Sequence, residues 1–186
     1  MAATLRRNGI VIRPHDASDI EPLFAAVVES MATVGRWMSW CHPDYSIEDA
    51  EAFYERCANA WKTEGDREFG IFDAASGEVL GCVGINQINR VNLFANMGYW
   101  VRASRERHGI ASTAARLASD FAFVELGLAR IEIVALPDNV ASRRVAEKIG
   151  ARFECIARSL LKFRDESRDA AMYSLLKGDL TAGVNG

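Results

Sequence analysis

The stretch from residue 94 to residue 136 constrains the fold most. FANMGYWV (94–101) is an apolar run of strand length, and the region from Gly109 to Gly127 carries Ile110, Ala114, Leu117, Ala118 and Phe121 on one helical face before stopping at a glycine. ARIEIVAL (129–136) follows, short, β-branched and apolar on both faces, as a buried strand in the centre of a sheet would be. A strand, a long amphipathic helix and a buried strand in succession belong to a layered α/β chain.

The flanking segments extend this pattern. GIVIRP (9–14) reads as a strand ended by Pro14, and Asp16 or Ser18 can cap a helix with Ile20, Leu23, Phe24, Val27 and Val28 on one face. Ser46-x-x-Asp49 signals a second helix start, with Ala50, Phe53, Tyr54, Cys57 and Trp61 at helical spacing. EFGIFD (68–73) and EVLGCVGINQI (78–88), joined by a short polar link, fit an antiparallel hairpin. Asp138 and Asn139 offer caps for a short helix ending at Gly150, and RFECIARSL and DAAMYSLL supply two last strands. The expected order is βααβββαβαββ, one domain over residues 1–180 with a frayed tail over 181–186.

Composition limits what such a chain binds. With 186 residues, 49% of them hydrophobic, it has enough chain for one compact core, and a formal net charge of −3 argues against nucleic acid as the partner. No segment approaches a membrane span and no signal-length apolar run follows the N-terminal arginines, so a cytoplasmic protein is expected. Cys41, Cys57, Cys82 and Cys155 form no CxxC pair and read as reduced packing residues, with no metal site implied.

The loop RERHGIAS joins the strand ending at Val101 to the long helix. Consecutive backbone N–H groups at a helix N-terminus lack intrahelical acceptors and bind anions. Gly109 permits a tight turn and close approach of a ligand, while Arg105, Arg107 and His108 add positive potential, a setting suited to a pyrophosphate. A glycine before a helix also serves simply as a turn, and the segment matches neither GxxxxGK[ST] nor GxGxxG.

The segment GYWVRASRERHGIASTAARLASDFAFVELGLARIEIVALPDNVASRRVAEKIGARFE resembles the GNAT superfamily of acetyl-CoA-dependent N-acetyltransferases. It is most similar to the RimJ/RimL type that acetylates ribosomal-protein N-termini, a likeness extending to RWMSW and MYSLL. The resemblance implies a mixed, mostly antiparallel sheet, flanked by helices and splayed at the coenzyme site by a bulge near Tyr99, Trp100 and Val101. It implies acetyl-CoA as cosubstrate, with pyrophosphate taken by the backbone over Arg107, His108, Gly109, Ile110, Ala111 and Ser112, and a carbonyl-polarising N–H near Val101. Glu106 departs from the family's Gln/Arg, and Arg107 stands where glycine is frequent. Asn139 and Ser142 match the family's Asn-x-x-Ser, which implies an asparagine on the pantetheine and a serine beside the sulfur. Ser142 is thus the candidate proton donor, although Asn139 is also an ordinary cap and Ser142 an ordinary first-turn residue.

The general base has no family counterpart. Asn96 and Leu161 occupy the two positions where the resemblance leads one to expect glutamate, and Glu154, Asp165, Glu166 and His42 are substitutes more simply read as surface residues. Without a strong base an enzyme should favour α-amines, with pKa about 7.7–8.0, over lysine at about 10.4. Trp37, Trp40 and Tyr99 are the expected acceptor contacts, with Tyr45 as a further aromatic wall, and aromatics between helices also serve as core. The expected reaction is acetyl transfer from acetyl-CoA to a primary amine, a protein N-terminus or alternatively a small amine, by direct attack. A non-catalytic acyl-CoA-binding module is the reading from another class. The expected partners exclude nucleic acid and membrane, and a homodimer is left open.

Overall fold

The computed structural model describes residues 3–63 and 65–180; the tail expected over 181–186 lies outside them. In chain order the elements are β1 (Leu5–Arg7), β2 (Ile10–Arg13), α1 (Ile20–Glu29), α2 (Ile47–Lys62), β3 (Arg67–Asp73), β4 (Val79–Asn89), β5 (Phe94–Val101), α3 (Ile110–Val124), β6 (Arg130–Ala135), α4 (Val140–Lys148), β7 (Arg152–Phe163) and β8 (Glu166–Leu176). The strands form one sheet in the order β1-β2-β3-β4-β5-β6-β8-β7, antiparallel except for the β5–β6 pair. β1 adds a strand to the expected order. Asn8 and Gly9, both at positive φ, make the tight turn that pairs it with β2, so an Asn-Gly dipeptide was the signal for it.

Local chemistry sets the helix starts. Asp16 caps a single 3-10 turn that leads into α1, and Ser46 and Asp49 form a reciprocal capping box at α2. α3 stops at Val124, and Gly127, left-handed at φ 66°, turns the chain into β6.

The sheet has two covered faces, each with its own core. On one, Ile12, Phe69, Ile71, Val83, Met97, Ile133 and Tyr173 pack under α3 through Ile110, Ala114, Leu117, Ala118 and Phe121. On the other, Val11, Phe72, Cys82 and Trp100 meet Leu23, Ala26 and Val27 of α1. The period of two explains the division, since neighbours such as Ile71 and Phe72 or Val83 and Cys82 take opposite faces. Two expectations are corrected here. β6 is interior but alternates, with Ile131, Ile133 and Ala135 buried and Arg130 and Glu132 on the other face, and Val28 of α1 is exposed.

β5 and β6 pair only at Phe94–Arg130, Ala95–Ile131 and Asn96–Glu132, then part. The sheet is therefore splayed beside residues 97–101 of β5. The bulge expected at Tyr99–Val101 is not there: β5 pairs residue for residue with β4 from Gly81–Val101 to Asn86–Asn96. The irregularity lies in β4, where Leu80 is an extra residue against β3, before Gly81 at φ 147°.

Candidate active site

The splay opens a cavity of about 840 Å³ lined by the end of β5 and the N-termini of α3 and α4. Val101, Arg107, Gly109, Ile110, Ala111, Ser112, Asn139 and Ser142 all line it. Gly109 is left-handed at φ 76° and sits at the N-cap of α3, so the first-turn amides face the cavity without intrahelical acceptors. Arg107 is also left-handed, at φ 63°, which explains why glycine suits this place: an ordinary residue there is strained by about 1–2 kcal/mol. Arg36, Arg105, Arg107, Arg144 and Lys148 line the cavity against the single acid Glu106, and Lys148 Nζ lies beside Gly109. This donor set fits a polyphosphate: amides and a helix dipole at the bend, cations around it.

His108 is not among the lining residues. Its Nδ1–H donates to the Glu106 carbonyl at 2.7 Å, so the ring braces the loop. The loop is also tied to α1: Glu29 accepts from Arg102 and from the Ser104 N–H, and Ser30 Oγ accepts from the Ala103 N–H at 3.1 Å. The Arg102 guanidinium holds the Glu29 carboxyl at about 2, well below its usual range.

Asn139 Oδ1 accepts from the Ser142 N–H at 3.1 Å, the ordinary cap, while the amide Nδ2 remains the donor it can offer to a ligand. Tyr99 Oη donates to the Ser142 carbonyl at 2.9 Å, and Ser142 Oγ lies 3.4 Å from the same hydroxyl. Tyr99 and Ser142 thus form a small hydroxyl pair, with burial pushing the Tyr99 phenol far above its usual value and keeping it protonated. α4 is held on the sheet by Tyr173, whose hydroxyl accepts from Arg143 Nε at 3.0 Å and donates to Glu147 at 2.9 Å.

A second cavity, of about 440 Å³, lies under α1 and α2, and the two cavities share Met38, Tyr99 and Trp100. Trp40 lines the second, its ring edge-on to Trp100 at 5.8 Å and tilted against Tyr45 at 6.1 Å. Trp37 lines the first instead, so the tryptophans of RWMSW divide between the two. Tyr99 belongs to both, with its hydroxyl on the α4 side.

The carboxylates named from the sequence fall away from this junction or are already engaged. Glu154 is clamped by both terminal nitrogens of Arg130, which hold its carboxyl down at about 2. Asp165 and Glu166 sit exposed at the β7–β8 turn. Leu161 lies on β7 opposite Arg168, and only His42 of that group lines the second cavity.

Sequence reasoning missed Glu68. It is the second residue of β3, half-buried, and lines the second cavity. Its cross-strand partner is Gly84, whose own partner is Gly98, so a row of one carboxylate and two glycines crosses the sheet. A Cβ at Gly84 would sit on the Glu68 carboxylate, whereas a Cβ at Gly98 would meet only Asn86 at 4.0 Å. Burial raises the Glu68 carboxyl above its ordinary value, partly opposed by a hydrogen bond from Asn86. The signal was present in GCVGIN and NMGYW, because glycine inside a strand marks close approach.

Behind the second cavity, His15 Nε2 lies 3.5 Å from Cys82 Sγ. Burial pushes His15 down to about 4 and the Cys82 thiol well above its usual value, so the pair is neutral and the thiol is no ready nucleophile. Cys41 and Cys57 are also buried free thiols, and Cys155 is exposed. Among the described residues no cluster of His, Cys, Asp and Glu could hold a metal, and no helix is long and apolar enough to cross a membrane.

The family model described as "Acetyltransferase (GNAT) domain" matches residues 10–152. The chain belongs to the GNAT acetyltransferase family. It is an acyltransferase of the N-acetyltransferase class. It is 31% identical over 170 residues to a Bacillus subtilis (strain 168) protein named "Putative ribosomal N-acetyltransferase YdaF", covering 90% of this chain and 91% of that one. Among solved structures it is similar to a Vibrio cholerae protein described as a "putative ribosomal-protein-serine acetyltransferase", with TM-score 0.83, 27% identity and coverage of 94% and 97%. The fold is shared with the RimL L7/L12 α-N-protein acetyltransferase solved with coenzyme A, at TM-score 0.85 and 20% identity over 94% of this chain and 98% of that one.

Proposed function

We propose that this GNAT enzyme transfers the acetyl group of acetyl-CoA directly to the α-amine of a protein N-terminus in the cytoplasm. The observation that carries the reading is the meeting of two cavities at Tyr99 and Trp100, one suited to a polyphosphate and the other open at an aromatic and charged rim. The larger cavity receives the coenzyme, its pyrophosphate on the amides that follow Gly109 and its thioester beside the splayed end of β5. In the smaller cavity Trp40, Tyr45 and Phe53 flank the acceptor's first residue, and Asp49, Arg56 and His42 at the mouth meet the following peptide groups. The names given to YdaF and to the Vibrio cholerae protein, both of which point to ribosomal acceptors, support a protein acceptor.

The chemistry is one displacement. The amine nitrogen attacks the thioester carbonyl carbon, its oxygen gathers charge against backbone N–H groups at the end of β5, and the C–S bond breaks as sulfur takes a proton through the Ser142–Tyr99 hydroxyl pair. The high thiol value of Cys82 speaks against a covalent acetyl-enzyme.

The test uses acetyl-CoA and peptides carrying both a free α-amine and an internal lysine, with tandem mass spectrometry locating the acetyl group. Acetylation at the α-amine is expected. Acetylation confined to lysine, or turnover only with small amines, overturns the acceptor assignment, and tight acetyl-CoA binding without thiol release in the presence of any of these amines would favour a binding module.

A further inference from the structure

We propose that Glu68 is the general base of this enzyme, taking the proton from the acceptor ammonium, with Asn86 and Asn96 as positioning residues and Gly98 as the surface over which the nitrogen binds. The inference rests on the transfer reading above but not on which amine is the natural acceptor.

The geometry supplies three independent supports. First, Glu68, Gly84 and Gly98 are successive cross-strand partners and share one face of the sheet. The missing Cβ of Gly84 is the space the carboxylate occupies, so it reaches across β4 to within about one strand spacing, ~4.8 Å, of Gly98. A nitrogen bound over Gly98 is then within direct or one-water reach of the carboxylate. Gly98 itself lies one residue from Tyr99 and two from Trp100, where the two cavities meet.

Second, a hydrogen-bonded chain runs across the sheet from Asn96 on β5 to Glu68 on β3. Asn96 Nδ2 donates to Asn86 Oδ1 at 2.8 Å, and Asn86 Nδ2 lies 3.5 Å from Glu68 Oε1. An amide can receive at one end and donate at the other, so this chain orients the carboxylate without neutralising it. Asn96 on β5 therefore braces, through Asn86, a carboxylate that stands on β3.

Third, the surroundings tune the group for proton transfer. Desolvation under α2 raises its carboxyl above the ordinary value, which makes it a stronger base than a solvated carboxylate. The charged and titratable groups facing it are Arg56 and Cys57 on α2, Asp66 just before its own strand and Cys82 on β4, while Asp49 and His42 stand in the same cavity. Arg56 is the opposing cation, exposed at the mouth of the cavity.

The proton count closes. The ammonium gives one proton to Glu68, the resulting amine forms the C–N bond, and the second proton lost from nitrogen goes to sulfur as the C–S bond breaks. The proton on Glu68 leaves to solvent with the product. No oxidant or further reactant is required.

The experiment measures kcat/KM against pH with acetyl-CoA and a set of acceptors of different amine pKa, including peptides and one small amine, for the native chain, Glu68→Gln and Gly84→Ala. Coenzyme A binding by calorimetry accompanies each. In the native chain the rising limb should hold one position across all acceptors. Glu68→Gln should lower kcat by 100-fold or more with coenzyme affinity unchanged, and its residual limb should move with each acceptor's amine. Gly84→Ala, whose new methyl displaces the carboxylate but keeps it, should lower kcat by about tenfold while leaving the native limb visible. A native limb that follows the acceptor's pKa, or Glu68→Gln with near-native kcat, overturns the assignment. If only the small amine is acetylated, the α-amine reading fails while Glu68 is still judged by the same limb.

Discussion

The two cavities are built by opposite means. The larger draws most on one stretch, residues 99–112, with its strand end and helix N-terminus, and is completed by α4 and by residues 33–38 after α1. The smaller is made of side chains brought from α1, the loop after it, α2, β3, β4 and β5. A cavity of the first kind recognises a ligand through groups every residue possesses, so it tolerates substitutions such as Glu106 and Arg107. A cavity of the second kind takes its chemistry from a few side chains, and moving one of them relocates the reaction's working group.

The largest effect should come from damaging backbone recognition. Gly109→Asp adds a Cβ at φ 76° and a negative charge beside the phosphates, and should weaken coenzyme A binding by at least about 100-fold in calorimetry. Unchanged affinity in a folded variant would break the comparison at its first term. A smaller effect is expected where a side chain serves the larger cavity. Ser142→Ala removes one member of the hydroxyl pair and should lower kcat about tenfold, with little change in the acetyl-CoA KM. Unaltered turnover would leave Ser142 as a first-turn residue of α4 and nothing more.

The same contrast explains what could be read beforehand. Strand and helix order followed from periodicity because the central strands bury side chains on each face of the sheet, and the α3 loop was legible because its elements are contiguous. β1 was overlooked although Asn8-Gly9 marks its turn, since three residues give no period to detect. The parting of β5 from β6 was expected, but its cause was misplaced: pairing simply ends after Asn96–Glu132, and the extra residue is Leu80 on the neighbouring strand. Glu68 could not be seen from its own neighbours, because EFGIFD is an ordinary strand opening. Only the register that aligns Gly84 and Gly98 with it gives the carboxylate a place. Asn96, likewise, looked like a lost glutamate and is instead the far end of the chain that holds one.

The smallest expected effect concerns stability and follows from the sign of the Glu68 shift. A carboxyl whose pKa is raised by burial favours the folded state when protonated, so this contribution is complete below the ordinary value of 4.5 and is lost as pH rises through the raised value. Glu68→Gln does not ionise and escapes that loss. In urea unfolding it should match the native chain in acid and exceed it at pH 8. A variant less stable than the native chain at pH 8 would show that the carboxylate serves the fold rather than the reaction.

The meeting of the two cavities at Tyr99 and Trp100 is tested most directly by calorimetry with one ligand that spans both, coenzyme A joined through its sulfur and a short acyl linker to the α-nitrogen of a peptide. Binding about 100-fold tighter than coenzyme A alone is the predicted result, because the second cavity is then filled without a further loss of translational freedom. Binding no tighter than that of coenzyme A would contradict a shared junction and remove the acceptor site from beneath α1 and α2.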